Sequence, residues 1–241
     1  MAAEAPPPEP RRASVGEPAG SQAFLFADIS GFTALTEAHG DEQAAEIVDH
    51  FCEHASGLLD RFGGEQAKTI GDAVMVRTEL AATAVRFGID LAHHEMARHE
   101  HPMVGVGIAW GPASDRGGDW IGSTVNAAAR IAGLAKQGEV LISAEGRDAA
   151  SAIQGIRFQP RGPVPLRGFR EEVDVYEARC EDPAVALYID PVCRMALDPK
   201  RTHAHLTHGG LEYHFCSDDC LDAFQRQPEA FTADGSFGVS E

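Results

Sequence analysis

Two short segments each place a carboxylate where an apolar run gives out: Phe26-Ala27-Asp28-Ile29-Ser30-Gly31-Phe32-Thr33 and Lys68-Thr69-Ile70-Gly71-Asp72-Ala73-Val74. Asp28 closes the run Phe24-Leu25-Phe26-Ala27, and Ser30-Gly31 then begin a turn into a helix. Main-chain N–H groups and a carboxylate therefore emerge side by side, the arrangement that holds metal-bound triphosphates. Asp72 follows a glycine at the expected tip of a hairpin between residues 66–70 and 73–76, from which it can converge on Asp28. The chemistry implied is a two-metal site for a nucleotide. A second constellation lies in the last quarter, where Cys193, Cys216 and Cys220 follow the spacing C-x22-C-x3-C. Two thiolates at i and i+4 on one helical turn, with a third from an upstream knuckle, can converge on a soft metal.

The elements that must position these groups follow from periodicity. Residues 23–28 read as a strand, and 41–62 as a helix with Ala44, Ile47, Val48, Phe51, Ala55, Leu58, Leu59 and Phe62 on one stripe. After the hairpin, residues 79–99 read as a second helix stopped by Pro102. Residues 103–110 alternate as a strand with Val104, Val106 and Ile108 on one face, broken by Gly111-Pro112. A Gly-rich tip at 115–118, a small-residue helix at 123–135, a strand at 139–142 and a short helix capped by Ser143 come next. Residues 156–158 and 173–176 read as strands around a Pro-rich turn. This order predicts an α+β sandwich, with helices on one side of a mostly antiparallel sheet.

The 241 residues leave room for one ordinary domain and a smaller one. With 44% hydrophobic and 24% charged residues and no run long enough to span a membrane, the composition is that of a globular protein in water. A net charge of -17 supplies no basic stripe for a polyanionic backbone, which argues against nucleic acid. It is compatible with a nucleotide whose charge is offset by a divalent metal. Five cysteines, an odd number, fit a reducing, cytoplasmic setting better than a disulfide framework. Residues 1–22, rich in Pro, Ala and Glu, read as a disordered tail without a secretory h-region, and 180–186 as a linker.

Beyond the two aspartate segments stand Asp119-Trp120-Ile121-Gly122-Ser123-Thr124-Val125-Asn126-Ala127-Ala128-Ala129-Arg130 and Pro165-Leu166-Arg167-Gly168-Phe169. With these four motifs in order, residues 23–179, about two thirds of the chain, resemble the catalytic domain of class III adenylate cyclases. The resemblance implies a ferredoxin-like cyclase sandwich in which the ribose 3′-hydroxyl of ATP attacks the α-phosphorus, releasing pyrophosphate and 3′,5′-cyclic AMP. It implies two Mg²⁺ or Mn²⁺ ions held by Asp28, Asp72 and the main-chain carbonyl of Ile29. It makes Asn126 the residue that positions the ribose and Arg130 the one that stabilises the transition state. Asn126 and Arg130 stand four apart, hence one turn along the same helical face. Lys68 and Asp119 become the pair that reads adenine, through its N1 and exocyclic amine, which guanine cannot match. Arg167 stands where relatives carry a phosphate-binding lysine, and Pro163 and Pro165 around it depart from the commoner pattern. Because family members combine metal aspartates from one chain with the remaining groups of another, the resemblance implies a homodimer. The competing expectation is a metal-binding regulatory protein whose cyclase-like domain is inert.

Asp190-Pro191-Val192-Cys193-Arg194-Met195 and Tyr213-His214-Phe215-Cys216-Ser217-Asp218-Asp219-Cys220, with the helical residues 221–227, make residues 187–233 resemble a YHS domain, a small metal-associated α+β module. A tail at 234–241 follows. A module this short needs more than core burial, which favours a bound metal, Zn²⁺ by default and Cu(I) as the rival. The resemblance makes His208 the first choice for a fourth ligand, with His205, His214 and Met195 as alternatives.

Overall fold

In a computed structural model, residues 20–95, 102–117, 119–181, 188–198, 202 and 204–232 are described. Residues 1–19 of the expected N-terminal tail, the C-terminal tail, most of the linker, the end of the second predicted helix, Gly118 and His203 lie outside these residues, whereas Ser21 and Gln22, expected in the tail, pair with Pro112 and Gly111 as the start of the first strand. The chain begins with β1 (Ser21–Ile29), then α1 (Phe32–His39), α2 (Asp41–Phe62), β2 (Glu65–Ile70), β3 (Ala73–Thr78) and α3 (Ala81–Ile89). It continues with β4 (Val104–Pro112), β5 (Ser114–Asp115), β6 (Trp120–Ile121), α4 (Ser123–Ala132), β7 (Val140–Ser143), α5 (Ala144–Ala149), β8 (Ile156–Val164) and β9 (Val173–Cys180). The last part holds β10 (Tyr188–Ile189), β11 (Ala196–Leu197), β12 (Ala204–His208), β13 (Leu211–Phe215), α6 (Asp218–Arg226) and α7 (Pro228–Thr232).

Seven strands form one sheet in the order β2-β3-β1-β4-β7-β9-β8, and only the β4–β7 pair is parallel. The sheet is mostly antiparallel, as the sequence predicts, but its helices cover both faces rather than one. On β1, Ala23, Leu25, Ala27 and Ile29 enter a core shared with α2 and α3, while Phe24 and Phe26 enter a second core under α4. A strand buried on both faces has no polar alternation, which accounts for the unbroken run Phe24-Leu25-Phe26-Ala27. Along α2 the predicted stripe divides. Phe51, Ala55, Leu58 and Leu59 face the main sheet, whereas Ile47 leans on a third core formed with the C-terminal module.

Two other expectations shift. The predicted helix after β3 is regular only to Ile89 and continues as a π-helical segment, Asp90–Glu95. Strand β4 is not broken at Gly111-Pro112, because these residues still pair with Gln22 and Ser21 of β1.

Helix α4 lies directly on β4 because two glycines admit it. A Cβ on Gly107 would stand 2.0 Å from the main-chain nitrogen of Ala132, and one on Gly105 would stand 2.8 Å from the Ala135 carbonyl oxygen. The Thr124 hydroxyl donates to the Pro112 carbonyl at 2.7 Å and pins the other end of the helix. Gly107→Ala is therefore expected to cost about 3 kcal/mol or more, as overpacking against main chain that cannot yield. The check is the urea midpoint of the variant, and a wild-type midpoint would contradict the close approach.

No helix among the described residues is long and apolar enough to cross a membrane. The C-terminal module consists of two small hairpins, β10–β11 and β12–β13, followed by α6 and α7.

Candidate active site and thiol cluster

The end of β1, the β2–β3 hairpin tip and the first turn of α1 meet at one edge of the sheet. Asp28 pairs in register with Ala73, the residue after Asp72, so the two carboxylates approach each other across the tip. Asp28 is partly buried, and its carboxyl is held above the ordinary 3.8, first by burial and then by the charge of Asp72. Two neighbouring carboxylates, one of them partly buried, form a donor set suited to a hard divalent cation. The side chain of Ile29 is buried, fixing the main chain at its carbonyl. Gly31, at φ 77, turns the chain into α1 without a side-chain cap, and the first helical bond runs from Leu35 N–H to its carbonyl at 3.0 Å. The preceding N–H groups at this helix start can receive anionic oxygens.

Lys68 and Asp119 come together from separate elements. Lys68 lies at an irregularity in β2, and its ammonium donates to the Asp119 carboxylate at 2.5 Å. The β5–β6 hairpin that carries Asp119 is held by Trp120, whose ring packs on Phe24 with centroids 5.6 Å apart and lies 4.9 Å beneath the Arg77 guanidinium. Both partners of the ion pair remain substantially open to solvent, so the pair contributes little to stability and is free to exchange partners.

Asn126 and Arg130 stand on the exposed face of α4, opposite Val125, Ala128 and Ile131, which are buried in the second core. Neither side chain makes a hydrogen bond or ion pair with another described residue. Arg167 is exposed at a turn closed by the Phe169 N–H to Leu166 carbonyl bond of 3.0 Å, with Leu166 buried beneath it. Despite Pro163 and Pro165, β8 runs through to Val164.

In the module, Cys193 and Cys216 lie 3.4 Å apart, sulfur to sulfur, and Cys216 and Cys220 3.6 Å. The fourth group is not the expected His208 but His39, the last residue of α1. Its Nε2 lies 3.7 Å from the Cys216 sulfur and 3.9 Å from that of Cys220. All four potential donor atoms lie within 4.8 Å of one another. His208 sits at the exposed end of β12, with its ring edge-on to Phe224. His205 is exposed, and the buried His214 stacks on Tyr188, its ring nitrogens making no hydrogen bond while Nε2 lies 3.8 Å from the Glu212 carboxylate. Met195 is used in main-chain bonds to Asp190 and Pro102.

The thiols are braced from behind. The buried Asp190 carboxylate accepts the N–H groups of Val192 and Cys216, each at 2.8 Å, which locks the knuckle to the turn before α6. Ser217 caps α6 by accepting from Cys220 N–H at 3.3 Å. The three thiols titrate together. Cys220 is pulled down by hydrogen bonds from Cys193 and then Cys216, aided by Ser217 and His39, whereas Cys193 is pushed up by its bonds to Cys216 and Cys220 and by burial. One thiolate is thus favoured, and a second needs a cation beside it.

His39 was missed because its signal is three-dimensional. Leu35 and His39, one turn apart, read in isolation as any amphipathic turn ahead of Gly40.

Comparisons with known proteins agree with this geometry. The family described as the Adenylate and Guanylate cyclase catalytic domain matches residues 15–178, and the YHS domain matches residues 188–234. An adenylate cyclase of Streptomyces coelicolor is 34% identical over 174 residues, covering 72% of this chain and 42% of that protein. A pH-sensitive adenylate cyclase of Mycobacterium tuberculosis is 34% identical over 160 residues, covering 64% of this chain and 39% of its own length. The chain thus spans about two fifths of the length of the curated relatives it matches. Among solved structures, the adenylyl cyclase CyaB from P. aeruginosa superposes with a TM-score of 0.58 at 25% identity, covering 68% of this chain and 96% of that one. The guanylate cyclase domain of RhGC from Catenaria anguillulae shares the fold, with a TM-score of 0.60 at 22% identity over 68% of this chain and 98% of its own. The sheet with its paired aspartates and the thiol-bearing module are thereby accounted for together: this chain belongs to the class III adenylate and guanylate cyclase family, with a YHS domain fused behind its catalytic domain.

Proposed function

We propose that the chain converts ATP to 3′,5′-cyclic AMP and pyrophosphate, at sites shared between two copies of itself. The observation that carries the choice of ATP is the Lys68–Asp119 ion pair. An ammonium and a carboxylate held side by side offer a donor to adenine N1 and an acceptor to its exocyclic amine. Guanine presents an N–H and a carbonyl at these positions, so both groups would meet their own kind, and each unpaired polar group costs about 1–3 kcal/mol.

The remaining roles follow from the chemistry of ring closure. Asp28, Asp72 and the carbonyl of Ile29 would hold two Mg²⁺ or Mn²⁺ ions, which neutralise the triphosphate and acidify the ribose 3′-hydroxyl when bound. The start of α1 receives phosphate oxygens through its N–H groups. Asn126 holds the ribose in line with the α-phosphorus, and Arg130, one turn along, stabilises the charge that builds in the transition state. Arg167 grips the departing phosphates with a fork where a lysine would offer a point charge. That Asn126 and Arg130 have no partner among the described residues supports completion of the site by a second chain. A cytoplasmic setting fits both the substrate and the five free cysteines.

The test is to incubate the purified protein with ATP or GTP and Mn²⁺ and identify the product. Cyclic AMP formed from ATP at least about tenfold faster than cyclic GMP from GTP supports the reading. Lys68→Ala is expected to lower kcat/KM for ATP by about 10- to 100-fold, with GTP turnover much less affected. Cyclic GMP as the main product would reassign the substrate, and no cyclic product with either nucleotide would favour an inert domain that serves metal binding.

A further inference from the structure

We infer that the thiol cluster is an interdomain zinc site, in which His39 of the cyclase domain supplies the fourth ligand to Cys193, Cys216 and Cys220 of the YHS domain. The donor spacings carry the assignment. A tetrahedral zinc with bonds of about 2.3 Å to sulfur and 2.0 Å to nitrogen sets its ligands about 3.8 Å apart for two sulfurs and about 3.6 Å for sulfur and nitrogen. The observed sulfur pairs at 3.4 and 3.6 Å fall short of the first edge and the His39 contacts at 3.7 and 3.9 Å exceed the second, each by no more than about 0.4 Å, a mismatch that small side-chain rotations close on metal binding. Three thiolates and one imidazole suit Zn²⁺ at neutral pH better than the hard ions of the nucleotide site.

A second observation, independent of the donors, shows that His39 is held against the module. Leu35, four residues before His39 and so on the same face of α1, is fully buried among Val192, Cys193, Tyr213, Phe215, Cys220 and Phe224. The helix thus plugs the module's core with one side chain and reaches the thiols with the next. The knuckle also touches the turn at the start of α1. Arg194, the only non-glycine at positive φ among the described residues, lays its Cγ 3.0 Å from where a Gly31 Cβ would be. Met195 bridges to Pro102, next to Met103, whose carbonyl accepts the Ser30 N–H at 2.8 Å. Both ends of the first turn after Asp28 are therefore in contact with the zinc-bearing knuckle, directly or through one residue.

The test uses the full chain stripped of metal, titrated with Zn²⁺ against a competing chelator and with Co²⁺ as an optical probe. Wild type is expected to bind one Zn²⁺ per chain tightly, and its Co²⁺ form to show thiolate charge-transfer bands with the intense visible bands of four-coordination. His39→Ala should weaken Zn²⁺ binding at least about tenfold and shift the visible bands as water replaces the imidazole in the fourth position. His39→Cys should restore a fourth protein ligand and raise the charge-transfer intensity by about a third, since four thiolates replace three. His208→Ala should match wild type. Amide exchange across residues 32–39 should slow on adding Zn²⁺ to wild type and not to His39→Ala. The inference is overturned if His39→Ala keeps wild-type affinity and bands, or if His39→Cys adds no charge-transfer intensity. Because every readout is metal binding or exchange, these outcomes are independent of whether the protein cyclises ATP.

Discussion

Asp28→Asn is expected to lower ATP cyclisation by at least about a thousandfold while leaving the fold intact and, in chelator, making it more stable. The loss follows from removing one of two carboxylates able to hold cations beside the triphosphate. The gain follows from the state of the carboxyl itself. In the fold it is held above 3.8 by burial and by Asp72, so the ionised group opposes folding at neutral pH. Below 3.8 the folded and unfolded chains both carry the proton and the penalty vanishes. As pH rises through the raised folded value, the penalty sets in. The asparagine variant escapes it, so the Tm advantage of Asp28→Asn in chelator should open as pH rises from 3.8 to neutrality. Activity assays and thermal melts on the same preparation check both halves, and a variant that loses activity together with stability would mark Asp28 as structural.

The other large effect concerns sharing. Asp28→Ala and Asn126→Ala chains, each nearly inactive alone, should recover about a quarter of wild-type activity when mixed in equal amounts and allowed to exchange. Random pairing puts half of the chains' pairs in mixed form, and each mixed pair contains one intact site and one doubly damaged site. Sites contained within a single chain would give no recovery at any mixing ratio. The measurement is the rate of cyclic AMP formation against the mixing ratio, which should peak at equal proportions.

Much of this architecture was legible in the chain because the physics was local. The stripe from Ala44 to Phe62 predicted α2 from end to end, since Ala44 is buried and each of the other seven apolar side chains meets a core. The run Phe24-Leu25-Phe26-Ala27 announced a strand, and its lack of polar alternation already carried the information that both faces are covered. The placement of α4 on the far face escaped periodicity because its buried residues are mostly small, and what admits it is two glycines on another element, Gly105 and Gly107. Lys68 and Asp119 lie 51 positions apart, and only the family resemblance suggested that they meet, as they do in the structure. The thiol spacing gave three members of the cluster. The fourth could not be read from the module at all, because it belongs to a helix whose own sequence gives no sign of what packs on it.

That separation has a consequence for how the protein is made. His39 and Cys216 are 177 positions apart. At synthesis rates of about 5–20 residues per second, the 40 positions between the end of β9 at Cys180 and the last thiol, Cys220, give the completed cyclase sheet about 2–8 s on the ribosome before that thiol emerges. A four-coordinate ion can be captured only once α1 is already folded and the final helix has been released to dock on it. Zinc loading thus follows the folding of α1, and a chain cut short before Cys216 or misfolded around α1 fails to retain the ion. Occupancy of the cluster reports that α1 and the thiol-bearing module have folded against each other.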